Sequence, residues 1–127
     1  MRLLLDTHVV LWWLARVPRL GSQARAAISS PASEVYVSAI TGGEIGIKKA
    51  LGRLEAPDDL PAQLSAHGFV ELPLALRHGL ALAELPMHHR DPFDRLLLAQ
   101  ARVEGLTLVT ANRAMSAYDV RILPASE

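Results

Sequence analysis

The sequence of 127 residues contains no cysteine, carries no net charge and has few aromatic residues. The absence of cysteine excludes disulfide bonds and thiolate metal sites, and it suits a reducing compartment. Thirteen basic and thirteen acidic residues cancel, so a polyanion would have to bind a local patch. The apolar run VVLWWLA is far shorter than the ~20 residues that span a bilayer. We therefore expect a single cytoplasmic domain, residues 1–127, that does not enter a membrane.

Half of the residues are hydrophobic but only 5% are aromatic, so aliphatic side chains must form the core. The run RLLLD is typical of a strand buried on both faces. Strands that alternate with helices imply crossover connections. The predicted fold class is therefore α/β, with a mostly parallel central sheet of about five strands covered by helices on both faces. Strands are predicted at 2–6, 35–39, 69–73, 106–110 and 120–124, and helices at 7–17, 22–29, 40–52, 59–68, 75–86 and 92–104.

The stretch RDPFDRLLLAQARVEG, residues 90–105, places two aspartates at the start of an apolar helix. Asp91 can cap this helix by accepting from backbone N–H groups, and Gly105 can end it. Asp94 shares its side of the helix with apolar leucines, whereas Asp91 shares its side with Arg95. We therefore expect Asp94 to point inward and Asp91 to point outward. A carboxylate that points inward needs a cation or a hydrogen-bond donor to meet it.

Polar residues also lie at or after the ends of three predicted strands. Asp6 ends the first strand, and Glu44 lies on the apolar face of the helix that follows VYVSA. Thr110 and Asn112 come directly after the fourth strand. Sites in open α/β sheets lie outside the carboxyl ends of the strands. We therefore expect these side chains and Asp94 to meet at one edge of the sheet.

Three carboxylates in one pocket have a definite chemical consequence. Two of them about 4 to 5 Å apart repel by roughly 4 kcal/mol at an effective dielectric near 20, so together they raise their pKa values or bind a cation. Oxygen ligands without cysteine suit Mg²⁺ or Mn²⁺. Such an ion can activate water and neutralise charge on a phosphoryl group. The chemistry predicted for this pocket is hydrolysis of a phosphodiester.

Four segments of the chain resemble the PIN-domain family, in particular the VapC-type toxins of bacterial toxin–antitoxin pairs: LLLDTHVVLWWL, SAITGGEIGIKKALGRL, LPMHHRDPFDRLLLAQARVEGLTLVTAN and YDVRIL. The resemblance implies a metal-dependent endoribonuclease that forms a homodimer and is inhibited by a VapB-type antitoxin. It places the catalytic, metal-binding acids on Asp6, Glu44 and Asp94. The fourth acidic position falls on Asn112, which can offer a carbonyl oxygen as a metal ligand but carries no charge. A second metal ion would therefore bind less tightly.

Several residues could contact the RNA. By the resemblance, Thr7 would touch substrate or metal-bound water, although it could instead cap the first helix. Lys48 and Lys49 could extend a positively charged track, although a solvated helix face is the simpler interpretation. Four side chains around the start of the last predicted helix could contact phosphates, and a solvated loop accounts for them equally well: His88, His89, Arg90 and Arg95.

Two other functions are compatible with these residues. A phosphatase could use Asp6 as a nucleophile, but that mechanism needs a second acid two residues later, where His8 stands. A nuclease-like fold with weakened catalysis could instead act as an RNA- or protein-binding module. Asn112 is the feature that favours this alternative, because it removes one negative charge from the site.

Overall fold

The computed structural model describes residues 1–88 and 90–126 and contains a five-stranded sheet. All four strand pairings are parallel, in the order β3-β2-β1-β4-β5. The predicted α/β class and the number of strands are confirmed, and the sheet is entirely rather than mostly parallel. The strands are β1 (Arg2–Leu5), β2 (Glu34–Ser38), β3 (Val70–Leu72), β4 (Thr107–Thr110) and β5 (Ile122–Pro124).

Helices connect the strands at the predicted places. The helix expected over 75–86 is divided into α5 and a 3₁₀ helix, and a further 3₁₀ helix after β4 was not predicted. No helix of the described residues is long and apolar enough to cross a membrane. The α-helices are α1 (Thr7–Ala15), α2 (Ser22–Ser29), α3 (Ala39–Ala50), α4 (Leu60–Ala66), α5 (Leu76–Leu80) and α6 (Pro92–Glu104), and the 3₁₀ helices are Ala81–Glu84 and Arg113–Ala117.

Both faces of the sheet are covered by helices, as predicted. Leu3 and Leu5 of β1 belong to a hydrophobic cluster with residues of α1 and α2, whereas Leu4 belongs to a second cluster with residues of α3 and α6. Successive side chains of a strand point to opposite faces, and all three leucines are fully buried. Trp12 and Trp13 are partly buried and pack against the first cluster.

The strand order brings the predicted site together at one edge of the sheet. β2 and β3 extend the sheet on one side of β1, and β4 and β5 extend it on the other. The carboxyl ends of β1 and β4 lead into Asp6 and into the Thr110–Asn112 turn, and β2 leads directly into α3. A reversal of strand order of this kind creates the crevice in which α/β proteins bind ligands.

Candidate active site

Asp6 is fixed by hydrogen bonds to both of its carboxylate oxygens. It caps α1, with Oδ1 accepting from the Val9 N–H at 2.9 Å. Oδ2 accepts from the Thr110 hydroxyl at 2.5 Å, which links the ends of β1 and β4. Asp6 is only 6% exposed, and this burial raises its pKa above the ordinary value while the bonds from Thr110 and Val9 oppose the shift. The side chain is therefore rigid and costly to ionise without a nearby cation.

Glu44 enters the same region from α3 and is also buried. Its Oε1 accepts from the Thr7 hydroxyl at 2.7 Å, and Thr7 is bonded to the Thr41 hydroxyl at 3.2 Å. Its Oε2 accepts from the Lys48 ammonium at 2.5 Å, in an i,i+4 ion pair. This bond is the main cause of the raised pKa of Lys48, and the charges of Asp91 and Asp94 add to it. Thr7 is thus a hydrogen-bond donor to Glu44, and the cap of α1 is Asp6.

The two aspartates at the start of α6, the cap Asp91 and Asp94 in the first turn, face one cavity. Asp91 caps the helix, with Oδ1 accepting from the N–H groups of Phe93 at 2.9 Å and Asp94 at 3.3 Å. Pro92 opens the helix, and Gly105 ends it with a left-handed φ of 67°. These features were predicted from the local sequence. The expectation that Asp91 only faces outward is wrong, because it lines the same cavity as Asp94.

All three predicted carboxylates line a single cavity of about 300 Å³. Thr7 and Asn112, which were also predicted for the site, line it as well. We call this cavity the acidic pocket. Its lining residues are Asp6, Thr7, His8, Glu44, Lys48, Asp91, Asp94 and Asn112.

A model of the PIN domain family matches residues 3–121. The chain belongs to this family. It is 32% identical to Ribonuclease VapC22 of Mycobacterium tuberculosis over 122 residues, which cover 91% of this chain and 90% of that protein. Its fold is similar to a chain of VapBC2 from Rickettsia felis, solved with a promoter DNA fragment, at 14% identity and a TM-score of 0.72. It is also similar to a chain of a toxin–antitoxin complex from Klebsiella pneumoniae, at 18% identity and a TM-score of 0.65, and each alignment covers 98% of both chains.

The acidic pocket of this PIN domain contains the type of ligand atoms that a hard divalent cation prefers. The acidic side chains present only oxygen atoms, which suit Mg²⁺ or Mn²⁺. In residues 1–88 and 90–126, no three acidic or histidine side chains are arranged, as they stand, to hold one ion together. Both oxygens of Asp6 and both oxygens of Glu44 accept hydrogen bonds instead. The Lys48 ammonium supplies a positive charge in the pocket and pairs with Glu44.

Asn112 faces the pocket with its amide nitrogen rather than with its oxygen. Nδ2 donates to Asp94 Oδ2 at 3.4 Å, while Oδ1 accepts from the Ala114 N–H at 3.1 Å and caps the second 3₁₀ helix. The carbonyl oxygen expected as a metal ligand is therefore occupied by the backbone. In this arrangement Asn112 positions Asp94.

The structure corrects the expected position of Arg95 in this PIN domain. Arg95 is only 9% exposed. Its guanidinium donates to the Pro86 carbonyl at 2.9 Å and contacts the Leu85 carbonyl and the Tyr118 hydroxyl. Helix geometry predicted an outward arginine, but the loop before α6 folds over this face and covers it. Arg95 therefore ties that loop to the helix, and the phosphate contact expected of it stays a prediction.

Two other predicted phosphate contacts, His88 and Arg90, are not among the lining residues of the acidic pocket. Arg90 is exposed and lines a separate cavity with Met87 and Pro92. His88 stacks edge-on against Tyr118, with the ring centroids 5.3 Å apart. His89 lies outside the described residues. The RNA contacts expected of Arg90 and His89 stay predictions.

Sequence reasoning did not assign three residues that line the acidic pocket. Lys48 was interpreted as part of a solvated helix face, but its i,i+4 spacing from Glu44 permits the ion pair that is observed. Asp91 lies one helical turn before Asp94, and His8 follows Asp6 by two residues. Spacing alone could have indicated all three, although it could not show that their side chains turn toward one cavity.

Proposed function

We propose that this PIN domain is a Mg²⁺- or Mn²⁺-dependent endoribonuclease and the toxin of a VapBC-type toxin–antitoxin pair. The observation that carries the proposal is the acidic pocket, in which the ends of β1 and β4 and the starts of α3 and α6 bring Asp6, Glu44 and Asp94 to one cavity. The similarity to a protein named a ribonuclease supports the same activity. RNA as the substrate also places the activity in the cytoplasm.

In this proposal Asp6, Glu44 and Asp94 hold the metal ion. When bound, the ion would activate a water molecule and neutralise charge that develops on the phosphate. The hydroxyl of Thr110 fixes Asp6, the hydroxyl of Thr7 fixes Glu44, and the amide of Asn112 fixes Asp94. Thr7 therefore acts as a positioning residue, a role that also keeps it within reach of substrate in the pocket.

The RNA must approach a pocket that repels it. Four carboxylates line the cavity together with one lysine, and the protein has no net charge. Binding of an anionic phosphate therefore depends on a cation in the pocket and on nearby basic side chains. Among the predicted contacts, Arg90 is exposed near the start of α6 and can fill this role.

The proposed protein partners are a VapB-type antitoxin and a second copy of the chain. The structures with similar folds include complexes named VapBC, which supports an antitoxin as partner. For a homodimer, the supporting feature is apolar exposure on α3 and α5, helices that both contact α6. Ile47 and Leu51 are 52% and 59% exposed, and Leu76 and Leu80 are 82% and 68% exposed. Sedimentation of the purified toxin, alone and with the antitoxin, measures both assemblies.

The experiment that tests the activity is cleavage of single-stranded RNA by the purified protein. We expect cleavage with Mn²⁺, none with chelator, and a loss of at least about a hundredfold for Asp6→Asn, since a metal ligand is removed. Asp58→Asn is the matched control, because Asp58 is exposed and pairs with Lys49 instead of lining the pocket. Cleavage that is unchanged in Asp6→Asn would remove the proposed role of this pocket.

The alternative of a binding module with weakened catalysis is supported by a specific observation. The position of the fourth acid is Asn112, and its oxygen is bonded to the Ala114 N–H. RNA binding without cleavage, at any Mn²⁺ concentration, would favour this alternative. The phosphatase mechanism is disfavoured, because both oxygens of Asp6 already accept hydrogen bonds and the side chain is buried.

A further inference from the structure

Lys48 is the one lysine or arginine among the described lining residues of the acidic pocket. Its ammonium lies 2.5 Å from Glu44 Oε2. The Glu44 side chain is 5% exposed, whereas that of Lys48 is 35% exposed. The lysine thus reaches from the rim of the pocket to a buried carboxylate that the proposed function assigns to the metal ion.

A lysine ammonium and a divalent ion cannot both occupy Glu44 Oε2 at contact distance. Both are cations, so they repel each other strongly in a partly buried pocket. The ammonium is a compact charge on a flexible four-carbon chain, so it can leave Glu44 without any movement of α3. Because Lys48 is partly exposed, the position that it would take up is the rim, where a phosphate approaching the pocket must pass.

We propose that Lys48 is an exchangeable counterion of the active site, which neutralises Glu44 until a divalent cation takes its place and then contacts a phosphate of the RNA. This inference rests on the proposed function for the second half of the exchange. The first half, competition between Lys48 and the metal ion for Glu44, requires a divalent cation at Glu44 but no cleavage of RNA. Lys48 would then be a residue with two opposite effects, weakening metal binding and strengthening substrate binding.

The experiment compares Lys48→Met with Lys49→Met in the full-length protein. Lys49 is the neighbouring lysine on α3, but its ammonium pairs with the exposed Asp58 at 2.6 Å and does not line the pocket. Calorimetry with Mn²⁺ alone measures the competition without any need for activity. We expect Lys48→Met to bind Mn²⁺ about tenfold more tightly, since removal of one unit charge next to a cation site has an effect of this order. Lys49→Met should bind Mn²⁺ like the wild type.

Lys48→Arg keeps the positive charge and serves as the second variant. It should bind Mn²⁺ within about twofold of the wild type, because the competing charge is retained. Circular dichroism and thermal melting of each variant establish that it is folded. If Lys48→Met does not fold, tighter Mn²⁺ binding by a Lys48→Gln variant supports the exchange, and unchanged binding overturns it.

Cleavage kinetics test the second half of the exchange. At saturating Mn²⁺ we expect Lys48→Met to raise KM for single-stranded RNA by about tenfold, the order expected for one lost phosphate contact, and Lys49→Met to leave it unchanged. A KM for Lys48→Met equal to that of the wild type would overturn the phosphate contact.

The outcomes separate this inference from the proposed activity. If the wild type cleaves RNA but Lys48→Met and Lys49→Met bind Mn²⁺ alike, the exchange is wrong and the ribonuclease proposal stands. If Lys48→Met binds Mn²⁺ more tightly but no form of the protein cleaves RNA, the competition at Glu44 stands and the ribonuclease proposal fails.

Discussion

Replacement of Asn112 by aspartate tests whether the acidic pocket is limited by its own negative charge. Asn112 Nδ2 donates to Asp94 Oδ2 at 3.4 Å, and its Oδ1 accepts from the Ala114 N–H at 3.1 Å. An aspartate at this position can still accept from Ala114. It replaces the donor that faces Asp94 by a carboxylate oxygen, so an attractive contact becomes a repulsive one.

The expected loss of stability in Asn112→Asp follows from the short distance between the side chains at positions 112 and 94. Two unit charges about 4 Å apart repel by roughly 4 kcal/mol at an effective dielectric near 20. Because Asp94 and Asn112 are both partly exposed, solvent screens part of this repulsion, and we expect Asn112→Asp to lower the free energy of unfolding by about 1–2 kcal/mol in chelator. In a protein of this size the loss corresponds to a decrease in Tm of a few degrees, on the order of 3–8 °C.

In the presence of a divalent cation, Asn112→Asp should become more stable than the wild type. The added carboxylate offers an oxygen ligand and a negative charge, so Asn112→Asp should bind Mn²⁺ more tightly than the wild type and gain more stability from it. To become more stable than the wild type, Asn112→Asp must gain about 1–2 kcal/mol more from excess Mn²⁺ than the wild type gains, which corresponds to roughly 5–30-fold tighter binding. The same substitution should increase the number of Mn²⁺ ions bound and the cleavage rate.

The assay is urea denaturation followed by circular dichroism, once in chelator and once in excess Mn²⁺. Asn112→Ser is the matched control, because serine retains an oxygen for the Ala114 N–H and adds no charge. If Asn112→Asp and Asn112→Ser show equal stability in both conditions, the charge argument for the pocket is refuted. An unchanged number of bound Mn²⁺ ions in calorimetry would refute the argument that the fourth carboxylate limits metal binding.

Three further predictions concern stability and are checked by denaturation of the same kind. Arg95→Met should lower the free energy of unfolding by about 2–4 kcal/mol, because it leaves buried carbonyl groups without a donor. The control Arg102→Met, which replaces an exposed arginine, should have little effect. Equal free energies of unfolding for the two variants would contradict the role of Arg95. Gly43→Ala should raise the free energy of unfolding by up to ~1 kcal/mol, since alanine favours a helix and this exposed glycine has no neighbouring atom within 4 Å of an added Cβ. Gly105→Ala should lower the free energy of unfolding, because φ at Gly105 is 67°. Asp6→Asn in chelator should be more stable than the wild type at pH 7. A carboxyl group whose pKa is raised in the folded state destabilises the fold when it is ionised and not when it is protonated. The difference in the free energy of unfolding between Asp6→Asn and the wild type should therefore shrink as the pH falls toward the ordinary pKa of 3.8. A difference that is independent of pH would contradict this reasoning.

The elements of the fold could be predicted because their determinants are local. The strand β1 has three consecutive leucines that are buried on both faces, and α6 has its cap, its opening proline and its terminal glycine within the segment itself. The 3₁₀ helix Arg113–Ala117 was missed because its cap, Asn112, was assigned to the metal site. Asp6 and Asn112 came together because each follows the end of a strand, and a parallel sheet places these ends on one edge, whereas Glu44 and Asp94 reach the same edge from the helices α3 and α6.

The hydrogen-bond partners of these residues could not be predicted, because they depend on contacts that are distant in the sequence. Helix periodicity places Arg95 away from the apolar side of α6, but it contains no information about the loop that carries Pro86 and covers that face. Likewise, the direction of the Asn112 amide depends on Asp94 and on the backbone of the following turn. The ion pair between Lys48 and Glu44 depends on the rotamer of the lysine, and the i,i+4 spacing of the two residues allows this rotamer but does not determine it.

The protein can fold with several carboxylates in one pocket because each buried one has its own donor. Thr110 and the Val9 N–H meet Asp6, and Thr7 meets Glu44. Neutral donors orient a carboxylate without cancelling its charge, so the pocket keeps its negative charge while its geometry stays fixed. Lys48 supplies one positive charge, and four carboxylates line the cavity. The remaining negative charge is what makes a divalent cation the expected occupant, and it explains why substitutions that alter charge in this pocket should change metal affinity and stability together.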